Sequence, residues 1–191
     1  MGTPAYRQHW VARIALESAF PNLQGSRWEI RSPFHRDYNC HAWGVCENRV
    51  RWEPSGDDYW PPDLRTGNLF DDYSLDNFTK AYERVGFRKC LDGSYELGYQ
   101  KIAIYTEIIQ GLEIAQHTAR QTLFGRGWLS KLGHTEDIRH DSLRDIEGTE
   151  YGSVARYMKR SLFRALRDPS SVWIRATINH WNYRRRHPQG I

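Results

Sequence analysis

The sequence predicts an α+β fold in which a helix that carries a cysteine packs on a small antiparallel sheet that carries a histidine. Asn39 precedes Cys40 where a loop gives way to a helix, and asparagine is a favourable N-cap. Residues 113–122 alternate like a strand and contain His117. Glycine-rich turns, such as the one at 125–127, separate this stretch from its neighbours, as in an antiparallel meander.

The first half of the chain reads mainly as helix and loop. Residues 6–20 have apolar side chains at helical spacing, and Pro21 ends that helix. A short strand is expected at 27–31. The helix that begins at Cys40 should be short, and residues 56–68 form a loop rich in Pro, Gly and Asp. Ser74 caps the next helix, which ends at Gly86.

The second half reads mainly as strands. Strands are expected at 87–90, 101–105, 113–122 and 128–133, with a closing strand at 151–158. Residues 137–146 are interpreted as a short helix or an irregular segment, and residues 170–183 as a C-terminal helix. The expected organisation is therefore an N-terminal helix (1–20), a central domain (21–160) and a basic helical extension (161–191).

Composition and charge limit the function classes. The chain has 191 residues, of which 39% are hydrophobic and 14% aromatic, so a substantial core is expected. No apolar run approaches the ~20 residues of a membrane helix, and no signal-peptide pattern is present. The cytoplasm is the expected compartment, with signal-independent secretion as the alternative. The formal charge is +4, and the basic excess lies in 156–186. That segment is either a solvated helical face or a surface for an acidic partner.

Three cysteines, Cys40, Cys46 and Cys90, are too few and too unevenly spaced for a disulfide framework or a zinc site. His134, Asp137 and His140 are close in sequence, but their spacing matches no metal motif. We therefore expect no metal and no cofactor. The nucleophile elbow of serine hydrolases, the P-loop and the dinucleotide-binding fingerprint are all missing from the sequence.

Cys40 and His117 are the candidate catalytic pair. A thiol at a helix N-terminus gains thiolate character from the helix dipole, and an imidazole can accept its proton. On the His117 strand, Ala115 and Ala119 are expected to share the side of the histidine and to leave room for a partner helix. Ser130, on the next strand, is the first candidate to orient the imidazole, whereas Lys131 should point the other way.

Other residues complete the predicted site. Asp137 and His140 are the alternatives to Ser130 as the third catalytic residue. The Tyr38 hydroxyl is a candidate oxyanion donor, and Trp43 and Trp60 are candidates for substrate binding. Core packing is the alternative role for Tyr38 and Trp60.

Five motifs together resemble a known group of proteins: Tyr38-Asn39-Cys40-x-Ala42-Trp43, His117-x-Ala119-Arg120-Gln121, Trp128-x-Ser130-Lys131-Leu132-Gly133, Asp137-Ile138-x-His140 and Tyr151-Gly152. In this order they resemble a family of uncharacterised bacterial domains that looks like an outlying branch of the papain-like cysteine hydrolases, near the NlpC-type and CHAP-type amidases. The resemblance covers about residues 21 to 160. It implies a papain-like fold and a Cys40–His117 pair, with Ser130 near the third catalytic position.

The resemblance has departures and wider implications. NlpC-type amidases usually carry His, Asn or Gln where Ser130 falls, and serine is a weaker orienting group. Segments similar to Ser130-Lys131-Leu132-Gly133 occur in papain-like domains of bacterial toxins, which implies an effector role. The Asn39-Cys40 pair is similar to that of permuted papain-like acyltransferases, which implies acyl transfer as another activity of the same scaffold.

Three functions follow for testing. The first is a cysteine peptidase or amidase that acts on a peptide, a peptidoglycan-like substrate or a protein target. The second is a catalytically inactive binding or immunity module on the same scaffold. The third, which ranks last because no base-reading motif is present, is nucleic-acid binding through the basic C-terminal segment and Arg184-Arg185-Arg186.

Overall fold

A computed structural model describes residues 4–32 and 35–163 of the protein. Its strands are β1 (Trp28–Ser32), β2 (Arg88–Cys90), β3 (Tyr99–Ile109), β4 (Leu112–Gln121), β5 (Trp128–Lys131), β6 (Asp137–His140) and β7 (Ser153–Ser161). Its α-helices are α1 (Pro4–Ala19), α2 (Cys40–Gly44), α3 (Leu69–Asp72) and α4 (Leu75–Arg84). Short 3₁₀ turns occur at Pro21–Leu23, Pro62–Leu64 and Leu143–Ile146.

The seven strands form one open antiparallel sheet in the order β1-β6-β5-β4-β3-β7-β2. The α+β class is therefore confirmed, and strands β3 to β6 form a meander. The expectation of a helix or irregular segment at 137–146 is wrong for residues 137–140, which form β6 and pair with β5 on one side and β1 on the other. It is confirmed for Leu143–Ile146, which form a 3₁₀ turn. The first and last residues of β6, Asp137 and His140, are polar but buried. The four-residue strand therefore has no apolar alternation that the sequence could reveal. The expected closing strand is β7, which lies between β3 and β2.

Each side of the sheet carries its own hydrophobic core. One side, here called the α2 face, packs β3 and β7 side chains against α2 and α4 through residues that include Ala42, Trp43, Phe78, Tyr82, Ile102, Ile104 and Met158. The other, here called the α1 face, packs against the end of α1 and the turns beside it, and it includes Leu16, Phe20, Leu23, Ala103, Tyr105, Ala119 and Ile138. Because successive strand residues face opposite sides, the central strands β3 and β4 contribute to both cores.

The predicted N-terminal helix is present as α1, but its apolar residues are divided. Leu16 is buried in the α1 face, whereas Trp10, Val11 and Ile14 are 57%, 59% and 47% exposed. The apolar contact of this helix with the core is therefore made near its end, while Arg13 lies over the Trp28 ring of β1 at 4.2 Å.

The predicted C-terminal helix at 170–183 and the basic end of the chain lie outside the described residues. Within the described part of the chain, no helix combines the length and the apolar character that crossing a bilayer requires.

Candidate functional site

Asn39 forms hydrogen bonds both to the start of α2 and to the later segment at Trp52. Its side-chain oxygen accepts hydrogen bonds from the backbone N–H groups of Ala42 and Trp52, both at 3.1 Å, and its amide donates to the Trp52 carbonyl at 2.8 Å. The first of these bonds is the N-cap that the sequence predicts. The other two hold residues 52–53 beside Cys40, which is the first residue of the helix.

Thr118 of β4 is the point at which α2 rests on the sheet. Its hydroxyl lies 3.0 Å from Nδ1 of His41 and accepts a hydrogen bond from the Tyr82 hydroxyl at 2.8 Å. A side chain at Gly44 would place Cβ 2.8 Å from Cγ2 of Thr118, so only glycine allows this approach. Burial, with a smaller contribution from Arg51, lowers the pKa of His41 to about 3. His41 is therefore neutral and has a packing role.

Cys40 is 7% exposed. The backbone groups of Thr118, His41 and Cys40 itself act to lower the pKa of its thiol. Burial nevertheless raises the pKa of the thiol to about 12, and the nearby Glu53 carboxylate acts in the same direction. In the free protein, Cys40 is therefore a protonated thiol at neutral pH.

Cys40 lies in the wall of an open cavity of about 420 Å³. Part of its lining, here called the apolar side, consists of Leu69, Phe70, Ile109 and Ile114. Another part, here called the polar side, includes Arg51, Glu53, Tyr73 and His134. The cavity can therefore hold a ligand that has both apolar and polar groups.

Arg51 organises the polar side of the cavity. Its guanidinium makes ion pairs with Asp58 at 3.0 Å and Glu53 at 3.4 Å, and its Nη1 lies 3.1 Å from Nδ1 of His134. The Tyr73 hydroxyl donates a short hydrogen bond to Glu53. Burial and this bond raise the pKa of Tyr73 to about 12. These groups hold one another in place, so the polar wall is preformed.

His117 faces away from α2. Its ring stacks on Tyr151 with centroids 4.2 Å apart and meets the edge of Tyr105 at 5.5 Å, both on the α1 face. Because Thr118 faces α2, its neighbour in the strand must face the other side. Among the described residues neither ring nitrogen of His117 has a hydrogen-bond partner, so no hydrogen bond joins it to the Cys40 thiol. Burial lowers the pKa of His117 well below its usual value.

A β-bulge explains why the surroundings of His117 differ from expectation. Tyr105 of β3 pairs with His117, but the next residue, Thr106, pairs with Ala115, so Gln116 is extra. The bulge turns Ala115 to the α2 face, where it also lines the cavity, whereas Ala119 lies on the α1 face. The expectation that both alanines share the His117 side is therefore correct only for Ala119.

Ser130 pairs with His140 rather than with His117. Its hydroxyl lies 2.9 Å from Nε2 of His140, and Nδ1–H of the same ring donates to the Ser142 carbonyl at 2.7 Å. Burial lowers the pKa of His140 to about 4, so the ring is neutral. The structure therefore brings together two candidates for the third catalytic position, Ser130 and His140, but joins neither of them to His117 by a hydrogen bond.

Two polar residues beside the start of α2 were not predicted from the sequence to lie there. Lys131 and Asp137 are paired across β5 and β6, and both face the α2 side. The Lys131 ammonium lies 5.3 Å from the centre of the Tyr38 ring, and the Tyr38 hydroxyl donates to Asp137 at 2.6 Å. The signal was strand alternation, which directs Lys131 away from Ser130 and therefore towards α2.

The predicted oxyanion and substrate-binding side chains are in the core. Tyr38, Trp43 and Trp60 are only 5%, 6% and 3% exposed, and none of them lines the Cys40 cavity. The Tyr38 hydroxyl is engaged by Asp137, Trp43 lies under the Arg120 guanidinium at 4.2 Å, and Trp60 packs on Phe78 at 4.7 Å. The positions of Tyr38 and Trp60 match the packing role that was the alternative for each.

The residues considered for a metal site do not converge. His134 contacts Arg51, and His140 contacts Ser130 and Ser142. Asp137 is held by Ser32 and Tyr38, each at 2.6 Å. Across residues 4–32 and 35–163, no group of three or more His, Cys, Asp or Glu side chains could hold a metal ion.

Comparisons with known proteins identify the family but no activity. No curated protein and no solved structure matches the chain. One family model matches residues 29–159, which span the sheet from β1 into β7 and contain Cys40, the cavity and Lys131. Because this match covers more than half of the sequence, the chain belongs to the family described as Domain of unknown function (DUF7689).

Proposed function

We propose that this protein is a thiol-dependent amidase or peptidase in which Cys40 attacks an acyl group bound in the adjoining cavity. The observation that carries the proposal is the position of Cys40, which is the first residue of α2 and lies in the wall of a cavity of about 420 Å³. A relation to papain-like hydrolases is part of the proposal. It is supported by a cysteine-bearing helix packed on an antiparallel sheet.

The proposed reaction has two steps. The Cys40 sulfur forms a bond to the acyl carbon, the carbon–nitrogen bond breaks, and the amine leaves with the proton of the thiol. Water then attacks the thioester, which releases a carboxylic acid and restores the thiol. The backbone groups that act to lower the pKa of the thiol favour the anionic form that attacks. Replacement of water by another acceptor would make the same site an acyltransferase.

The cavity favours a substrate of mixed polarity. Its apolar side can bury the side chain or acyl substituent next to the reacting carbonyl, and its polar side can bind amide groups of the same ligand. A peptide, a peptidoglycan-like peptide or an exposed segment of a protein target has this character. We propose an effector or toxin-like role as the biological setting, on the basis of the motif resemblance.

A peptide-based electrophile tests this function directly. The protein is treated with a peptidyl vinyl sulfone that carries an apolar residue next to the warhead, and the modified cysteine is located by peptide mass spectrometry. We expect modification of Cys40 ahead of Cys90, with no such adduct in Cys40→Ala. Cys90→Ala is the matched control and should keep the adduct. Equal or faster labelling of Cys90 would overturn the proposal.

A ligand-binding module without catalysis is the second candidate. It is favoured by the raised pKa of Cys40 and by the lack of a hydrogen bond between Cys40 and His117. Under this alternative the cavity binds a peptide or a protein segment, as an immunity or adaptor module would. A Cys40→Ala variant that keeps the full biological effect of the protein would select this candidate over the enzyme.

A further inference from the structure

We propose that Lys131 is the positioning residue for Cys40, with an ammonium group that stabilises the thiolate from the sheet side of α2. This inference rests on the proposed function, because it concerns the same sulfur. It replaces the role that the sequence suggests for His117. The groups that carry it are Lys131, Tyr38 and Asp137, which lie together where the start of α2 meets β5 and β6.

The orientation of β5 places Lys131 on the correct side. Ser130 faces the α1 side, where its hydroxyl meets His140, so the next residue faces α2. The ammonium of Lys131 lies 5.3 Å from the centre of the Tyr38 ring. Tyr38 is two residues before Cys40, and its ring packs on Trp43 of α2 with centroids 5.4 Å apart. Lys131 therefore lies on the sheet side of the segment that leads from Tyr38 into Cys40.

The Lys131 ammonium is buried without a carboxylate in direct contact. The residue is fully buried, and its Nζ donates to the Thr135 carbonyl. Across residues 4–32 and 35–163, no carboxylate oxygen lies within 4.0 Å of this nitrogen. Asp137, its neighbour across the strands, accepts hydrogen bonds from Ser32 and Tyr38 instead. A buried cation in this position gains stability from any anion that forms nearby.

The cations around Cys40 differ in how far their charge is already compensated. Arg51, on the cavity wall, is paired with Glu53 and Asp58. Arg120 of β4 donates to Cys46 and to the Trp43 carbonyl at the far end of α2. His41 is neutral, and His134 contacts Arg51.

The remaining neighbours are neutral or anionic. Tyr82 of α4 and Tyr151, which precedes β7, both interact electrostatically with Cys40. Burial raises the pKa of each phenol, so both stay neutral. Glu53 opposes the thiolate. Burial lowers the pKa of Lys131, while Asp137, Glu136 and Cys40 raise it. Lys131, which interacts electrostatically with Cys40, is thus a cation whose charge a thiolate there would compensate.

The rate at which Cys40 is alkylated as pH rises tests this inference. Iodoacetamide is small enough for the cavity, and peptide mass spectrometry follows the Cys40 adduct in the full chain from pH 6 to pH 11. Removal of the charge in Lys131→Met should lower the rate about tenfold across this range, since the range lies below the Cys40 pKa of about 12 and a rise of one pKa unit lowers the thiolate fraction tenfold. Lys131→Arg keeps the charge and should retain most of the rate.

His117→Phe is the matched control, because it keeps the ring stacked on Tyr151 and removes the imidazole. Its profile should match that of the unmodified protein. If Lys131→Met does not fold, Asp137→Asn replaces it: loss of the competing anion should raise the alkylation rate across the same pH range. An unchanged profile in the folded Lys131→Met variant would overturn the inference, and so would an unchanged profile in Asp137→Asn if Lys131→Met does not fold. A changed profile in His117→Phe would also overturn it. If Cys40 is not alkylated at any pH in the unmodified protein, the proposed function itself fails.

Discussion

The Ser130 hydroxyl lies 2.9 Å from Nε2 of His140, and both side chains are fully buried between β5 and β6. This contact closes a short chain of hydrogen bonds that continues to the Ser142 carbonyl at 2.7 Å. It satisfies both ring nitrogens of His140. The pair therefore stabilises the junction of the sheet with the 3₁₀ turn that follows β6.

The Ser130→Ala substitution should reduce stability and leave the thiol unchanged. It leaves Nε2 of His140 buried without a partner, which should cost about 1–3 kcal/mol of unfolding free energy in urea. The alkylation profile of Cys40 should stay the same, because Ser130 is on the other side of the sheet. Ser153→Ala, at an exposed position of β7, is the control and should cost less than about 0.5 kcal/mol. A Ser130→Ala variant with full stability and a slower Cys40 reaction would instead support the catalytic role first expected of Ser130.

Stability should fall as the pH is lowered from about 6.5, the usual pKa of histidine, towards 4. Burial lowers the pKa of His140 to about 4 and that of His41 to about 3, so the folded state keeps these rings neutral where the unfolded chain takes up protons. Stability is thus fully present above the unfolded pKa and is lost as pH falls through this window. Each ring contributes a slope of up to about 1.4 kcal/mol per pH unit.

Urea unfolding at pH 7, 6 and 5 measures this slope. The exposed His35 provides a control, since His35→Gln should leave the slope unchanged. A folded His140→Gln variant should have a smaller slope than the unmodified protein. Equal stability at pH 7 and pH 5 would contradict the neutral, buried state of these rings.

The Gly44→Ala substitution should push α2 away from β4. The added Cβ would lie 2.8 Å from Cγ2 of Thr118, and the resulting strain should cost about 1–3 kcal/mol. The second substitution Thr118→Ser removes Cγ2 and keeps the hydroxyl that contacts His41 and Tyr82. The double variant should therefore recover part of the stability lost in Gly44→Ala, as a thermal or urea unfolding cycle would measure. Additive losses in the double variant would show that the contact is not the cause.

The apolar side of the cavity should favour apolar reagents. Leu69 is 64% exposed at this wall, so Leu69→Ser removes apolar contact area with little effect on the fold. It should lower the rate of Cys40 alkylation by N-benzyl iodoacetamide about threefold relative to iodoacetamide, because about 0.7 kcal/mol of apolar contact is lost. Leu97→Ser, at a residue that is 83% exposed and outside the cavity, should leave this ratio unchanged. The same fall in both variants would remove the role assigned to this wall.

Features that depend on neighbouring residues in the chain could be predicted from the sequence. Asn39 and Ser74 are N-caps in the structure, because a cap is a hydrogen bond to a backbone group two or three residues ahead. The long strands β3 and β4 are also where alternation of apolar residues places them. The strand β6 was missed, because its four residues are recognisable only from the strands on each side.

The direction of side chains at the site depended on pairing between strands. The extra residue Gln116 in β4 can be detected only from the register of β3, so the sequence could not show that Ala115 and His117 face opposite sides. Cys40 was correctly placed at the start of a helix, and the structure adds the cavity that it lines. The position of Lys131 could have been predicted, because the strand alternation that turns Ser130 to the His117 side of the sheet turns Lys131 to the Cys40 side.

The bulge at Gln116 divides β4 into two parts with separate constraints. Residues before it, such as Ile114 and Ala115, border the cavity, and residues after it carry His117, Thr118 and Ala119 into the two cores. Because the extra residue Gln116 accommodates the change of register, substitutions in the first part do not alter which side of the sheet the residues of the second part face. Substitutions in the half of β4 that borders the cavity can thus change the shape of the cavity while the other half preserves the architecture.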